Sequence, residues 1–206
     1  MVNKMLVATF AIGTTMSVCA KSGEESKSYN TLLTQGFEVC VMDVRATTYH
    51  KTESGADRET RRGLSSTSLK LCEVGPRTVG SIAIDPEVIP YGSLIIVTTK
   101  NGSSNSFLCV DTGGDVKNRK ASRTLAKKEK LGNKYAKRPV IDIYSTRDYD
   151  DWMSVVVIKD KSLEGLSLSK LRNRLKERMS IDFWPSSKEI VSRALKQRDI
   201  NFLTQN

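Results

Sequence analysis

From Phe37 onward the chain alternates as extended backbone does: Phe37, Val39 and Val41 interleave with Cys40, Met42 and Val44, and the pattern runs toward Tyr49. Five further apolar runs follow, Val79 to Ile84, Leu94 to Val97, Phe107 to Val110, Val140 to Tyr144 and Val155 to Ile158. Each is of strand length. Turn-forming groups separate several of them: Asp85-Pro86, Pro90-Tyr91-Gly92, Asn101-Gly102 and Gly113-Gly114. No long helical pattern lies between most of these runs, so they predict a mainly β fold, a small six-stranded closed barrel rather than a βαβ sheet. Residues 50 to 70 are rich in Ser, Thr, Gly, Arg and Glu, and read as a long functional loop.

The period changes after residue 160. Leu168, Leu171, Leu175 and Met179 recur at helical spacing opposite Lys170, Arg172, Arg174 and Arg178. A second helix is predicted to start at Ser186, with Glu189 completing a capping box and Ile190, Ala194 and Leu195 on one face. This basic helical extension over 161–206 is expected to pack on the barrel or on itself. A basic amphipathic helix also suits an anionic membrane surface.

The N-terminus adds an expectation about location. Lys4 supplies a positive start, Met5 to Val18 is uncharged and weakly apolar, and Val18-Cys19-Ala20 offers small residues for cleavage, so 1–20 reads as a signal peptide. The expected destination is the periplasm or cell envelope, with association to an outer membrane an option. Residues 21–36 are polar and read as a linker. Cleavage would leave Cys40, Cys72 and Cys109, enough for one disulfide and one thiol, or for three free thiols.

Composition is that of a globular protein, with 38% hydrophobic and 27% charged residues among 206, but the net charge is +10. That balance favours anionic partners. It is concentrated in Val116 to Arg138, which holds ten Lys or Arg against one acid, Glu129. This stretch reads either as a solvated basic loop or as a lip beside a cleft that attracts anionic wall polymers. Nucleic acid is not expected, because Tyr135 is the only aromatic there and stacking needs more.

Several chemistries drop out. With one histidine, His50, a multi-histidine zinc site is unavailable, and a Ser-His-Asp arrangement has no G-x-S-x-G elbow to support it. No phosphate-binding or dinucleotide loop is present. The carboxylates remain. Asp85 and Asp111 each end an apolar strand, Asp111 before Thr112-Gly113-Gly114, whose glycines permit close backbone approach. Asp142 interrupts an apolar strand, where a carboxylate is costly unless solvated or paired. Each also has a plain reading, as a turn residue or as a strand position facing water.

The wording of these segments is similar to a known family. Ala46-Thr47-Thr48-Tyr49, Gly80-Ser81-Ile82-Ala83-Ile84-Asp85-Pro86-Glu87-Val88-Ile89-Pro90-Tyr91-Gly92-Ser93, Val110-Asp111-Thr112-Gly113-Gly114 and Val140-Ile141-Asp142-Ile143-Tyr144 resemble, in this order, the three-aspartate (3D) domain of lytic transglycosylases and related cell-wall proteins. The resemblance covers roughly Arg45 to Ile158. It implies a double-psi β-barrel over 37–160 interrupted by a basic insertion at 116–138, and a monomer that cleaves the MurNAc-GlcNAc bond of peptidoglycan during cell-wall turnover. It implies catalytic roles for Asp142 as general acid/base, Asp111 as its neighbour and Asp85 in support, with Tyr49, Thr112, Gly113 and Gly114 at the substrate. No cofactor and no metal ion is implied. A non-catalytic glycan-binding module on the same barrel is the alternative. One departure is plain: Asp111 and Asp142 are 31 positions apart, wider than the family pattern, which leaves Asp115 a rival for the third place.

Overall fold

A computed structural model describes residues 29–99 and 102–204. Six strands close into a barrel: β1 (Glu38–Tyr49), β2 (Gly80–Ala83), β3 (Leu94–Thr98), β4 (Ser104–Asp111), β5 (Val140–Tyr144) and β6 (Asp151–Lys159), in the spatial order β1-β5-β2-β4-β3-β6. These are the six predicted runs. β1 is long enough to serve two neighbours. Its first part pairs antiparallel with β6 from Glu38 to Ala46, and its last part runs parallel to β5 from Arg45 to Tyr49. A second parallel pair joins β2 to β4, with a register shift between Ile82 and Ala83.

Alternation along the strands sorts side chains into two cores. Val44, Ala46, Ile82, Ile95, Phe107, Cys109, Ile141, Ile143 and Val157 fill the barrel. The opposite positions, among them Leu94, Ile96, Leu108, Val110, Val156 and Ile158, form an outer apolar face. At Gly80 the packing tolerates no side chain, since a Cβ would lie 2.5 Å from the Phe107 ring.

The outer face is covered by helices. The C-terminal part forms α6 (Leu168–Arg178) and α7 (Ser187–Thr204), while Tyr29–Thr34 forms α1. Leu171, Leu175, Trp184, Ile190 and Ala194 join the outer core, as do Leu32 and Phe37 from the N-terminal side. Arg178 and Asp160 form a buried ion pair beneath this layer, and Arg178 also donates to the Gly92 carbonyl at 3.2 Å. Burial lowers Arg178 to about 10, which leaves it charged. Gly92 has φ +81 and would place a Cβ 2.4 Å from Leu163, so glycine is required where the barrel meets this extension.

Several expectations are corrected. The described end of the polar 21–36 segment is helix rather than linker, because Leu32 is fully buried and Phe37 packs edge-on against Trp184. Leu168 and Leu195 leave the packed stripe, being 68% and 42% exposed, since the barrel meets the Leu171–Leu175 side of α6 and the Ile190–Ala194 side of α7. The basic insertion is not a loop. It forms α3 (Gly114–Lys117), α4 (Lys120–Lys128) and α5 (Asn133–Ala136), anchored by buried Val116, Ser122 and Ala126. A short helix α2 (Arg58–Arg61), capped by Asp57, sits in the 50–70 loop. The signal-peptide expectation lies outside the described residues. Cys40, Cys72 and Cys109 are all free thiols. No described helix is long and apolar enough to cross a membrane.

Candidate active site

The parallel run of β1 beside β5 sets Thr47 opposite Asp142, and β5 beside β2 sets Asp142 opposite Ala83. On the far side of β2, Ala83 is opposite Asp111 of β4. Two residues distant in sequence thus flank one small alanine. Ala83, Val140 and Val116 of α3 form a small apolar cluster, with Tyr49 and Ala121 packed against it.

An open cleft of about 540 Å³ lies here, with Thr47, Thr48, Val140 and Asp142 from the barrel and Asp115, Lys120 and Thr124 from the insertion. Asp142 is the most informative group in it. Its Oδ1 accepts a 2.7 Å hydrogen bond from Thr47 Oγ1. Burial pushes its carboxyl up to about 6, with smaller upward contributions from Glu53, Asp111 and Asp115, while the Thr47 bond pulls the other way. Desolvation outweighs the single hydrogen bond. A carboxyl of this kind exchanges a proton near neutrality.

Asp111 is held differently. Its Oδ1 accepts from the backbone N–H groups of Ser66 (2.7 Å) and Thr112 (2.9 Å), and its Oδ2 accepts from the Tyr49 hydroxyl (2.8 Å). The residue is only 6% exposed, so both oxygens are turned into the structure. Burial, then the adjacent Asp111 charge, pushes the Tyr49 phenol far above its ordinary value, so it remains a donor. Tyr49 therefore positions Asp111, and its ring packs edge-on to Tyr144 at 5.4 Å.

Asp85 is not brought to this cleft. Its Oδ1 accepts from Glu87 N at 3.2 Å and its carbonyl accepts from Val88 and Ile89, which makes it the organiser of a turn. Asp115 does line the cleft, but it is exposed and pairs with Lys120 at 3.0 Å. Gly113 and Gly114 have neither positive φ nor neighbours within 4 Å of a Cβ, so nothing inside the chain crowds them. They leave the edge beside Asp111 open. Thr112 touches Asp111 through its N–H. His50 is half-buried, stacked on Tyr144 at 5.2 Å with Nδ1 2.9 Å from Thr52 Oγ1.

The cleft lining is acidic rather than basic. Of the ten cations in 116–138 only Lys120 lines the cleft, against Glu53, Asp115, Asp142, Asp148 and Asp150. Asp150 is engaged by the buried Arg45, and Asp148 accepts from Asp150 N at 2.8 Å. Three contributors were not among the expected site residues: Thr47, whose role depends on the β1–β5 register, the Ser66 N–H, and Glu53.

Among the described residues no group of three His, Cys, Asp or Glu side chains is arranged to hold a metal ion. No protein-family model matches the chain, and no curated protein matches it either.

Proposed function

We propose that this protein is a cell-wall glycan-cleaving enzyme of lytic transglycosylase type, acting on MurNAc-GlcNAc bonds through Asp142. The observation that carries the reading is the half-buried Asp142 carboxyl, raised to about 6, in an open cleft of about 540 Å³. The order of the four motif segments, and the two parallel pairs within a closed six-stranded barrel, support a 3D domain of double-psi type.

The chemistry needs one acid/base. Protonated Asp142 gives its proton to the glycosidic oxygen as the C–O bond to the MurNAc anomeric carbon breaks, and positive charge develops at that carbon. The resulting carboxylate then takes the proton of the same sugar's 6-hydroxyl, whose oxygen closes a 1,6-anhydro ring. No water is consumed, so the second carboxylate that hydrolysing glycosidases need is dispensable. Near pH 7 about a tenth of a carboxyl with this pKa is protonated, a workable fraction for a general acid. Asp111, fixed by three donors, supplies a stationary negative field and holds Tyr49 and the Ser66 loop in place. The hydroxyls of Thr47, Thr48 and Thr124 suit a sugar. The location that goes with this activity is the envelope, after export.

Digestion of purified sacculi, with mass spectrometry of the released fragments, tests the proposal. Anhydro-muropeptides from wild type and none from Asp142→Asn are expected. No anhydro product from wild type, or equal release by the variant, would sink it. A second reading, a glycan-binding module without turnover, is favoured by the full occupation of both Asp111 oxygens within the fold. It predicts retention on sacculi without fragment release.

A further inference from the structure

The insertion separates its charges by direction. Its cleft side carries Asp115 paired with Lys120, and its one other flanking acid, Glu129, accepts from Trp152 Nε1 at 3.3 Å. Arg138 pairs with Asp43 and lies over Tyr135, 4.3 Å from the ring centroid. The remaining side of α3, α4 and α5 borders a separate open hollow of about 350 Å³, lined by Lys117, Arg119, Arg123 and Lys137 with Asn118 and Asn133. No acid lines it. Among the described residues, none of these four cations has a carboxylate within ion-pair distance.

The hollow is held together from within. Arg119 joins α3 to α4 in the left-handed conformation, φ 51, which disfavours a non-glycine residue. Its guanidinium donates to the Lys137 carbonyl at 3.2 Å, tying the start of α4 to the end of α5. Four like charges around one concavity repel each other unless an anion sits among them. A single carboxylate is satisfied by one arginine fork, whereas a tetrahedral phosphate can use cations from several directions.

We infer that the hollow between α3, α4 and α5 binds phosphate groups of an anionic envelope polymer, on a face of the insertion distinct from the Asp142 cleft. The polymer's location rests on the cell-wall reading above; the phosphate chemistry does not. Nucleic acid fits less well, because no aromatic side chain lines the hollow and Tyr135 is turned to Trp152 at 5.5 Å. Bound there, the polymer would hold the enzyme near its substrate without occupying the cleft.

The test is fluorescence anisotropy with a labelled short linear polyphosphate at moderate salt, on the full chain. Wild type and Asp142→Asn bind equally, which keeps this inference separate from catalysis. The pair Arg123→Gln with Lys137→Gln weakens binding by about tenfold or more, the loss expected for charge-assisted contacts. The charge-matched pair Lys170→Gln with Arg172→Gln, on exposed α6 positions, changes it by less than about twofold. Circular dichroism confirms folding, and Arg123→Lys, which keeps the charge, retains most binding. Equal weakening by the two pairs, or no weakening by either, overturns the site. Competition by inorganic phosphate at equal phosphate concentration, tighter binding to phosphatidylglycerol vesicles, or tighter binding to a DNA oligonucleotide each overturns the polymer assignment.

Discussion

Asp111 and Asp142 flank the same residue, Ala83, on the two strands that neighbour β2. They do not form a directly hydrogen-bonded pair, because both Asp111 oxygens accept from Ser66, Thr112 and Tyr49 while Asp142 accepts from Thr47. Their environments diverge instead. Asp111 accepts three hydrogen bonds and is fixed; Asp142 accepts one and faces a cleft.

That asymmetry predicts an ordered series at Asp111. In Asp111→Asn the oxygen can still accept from Ser66 N and Thr112 N, while the new amide N–H can donate to the Tyr49 oxygen. The cost should stay below about 1.5 kcal/mol. Tyr49→Phe leaves one buried carboxylate oxygen without its donor and should cost about 1–3 kcal/mol. Asp111→Ala strands all three donors and should cost the most. Urea denaturation ranks them; a Tyr49→Phe protein as stable as wild type would show that this hydrogen bond is not holding the site.

Thr47 is predicted to tune Asp142 rather than to build the barrel. Its hydroxyl stabilises the ionised carboxylate, so Thr47→Val should raise the Asp142 pKa further above 6. The basic limb of kcat/KM should then move to higher pH, while Asp111→Asn, which removes a nearby negative charge, should move it lower. A pH–rate profile of fragment release reads both shifts, and limbs that stay put in the two variants would remove Asp142 as the titrating group.

The barrel was legible because strand periodicity and turn residues agree: several of the six apolar runs are bounded by groups such as Asp85-Pro86 or Pro90-Tyr91-Gly92. Asp142 was legible as a charge inside an apolar strand. Thr47 was not, because it meets Asp142 only through a parallel pairing of strands 95 positions apart. The Ser66 donor is a backbone N–H and leaves no mark in the sequence. Helices in 116–138 were hidden by charge, since the contacts that dock them involve small residues, Ala83, Ala121, Ala126 and Val116. Asp85 shows the reverse case: a strand-end aspartate before proline has the same local pattern whether it binds a ligand or caps a turn, and here it organises a turn outside the cleft lining.

Asp85 accordingly carries a prediction about stability, not turnover. Asp85→Asn keeps an oxygen for the Glu87 N–H and should leave both fragment release and stability near wild type. Asp85→Ala loses that bond and should cost about 0.5–1.5 kcal/mol. Loss of fragment release in Asp85→Asn, with the melting temperature unchanged, would return this residue to the substrate.

Asp142 should destabilise the protein as pH rises. Its carboxyl titrates at about 6 when folded and at an ordinary 3.8 when not, so between those values the folded chain holds more protons than the unfolded one. Stability from this group is therefore fully present below about pH 4 and is lost as pH climbs through about 6, a change of roughly 2–3 kcal/mol at most. Other carboxylates add their own slopes, so the diagnostic is the difference between wild type and Asp142→Asn. The amide cannot ionise and still accepts from Thr47, so the variant should gain on wild type steadily from pH 4 to pH 7 and be the more stable protein at neutrality. A group kept at the cost of stability is what a site retained for chemistry looks like. Denaturation midpoints measured across that range decide it: parallel curves for the two proteins would mean that Asp142 is solvated and carries an ordinary pKa, and the general-acid role would go with it.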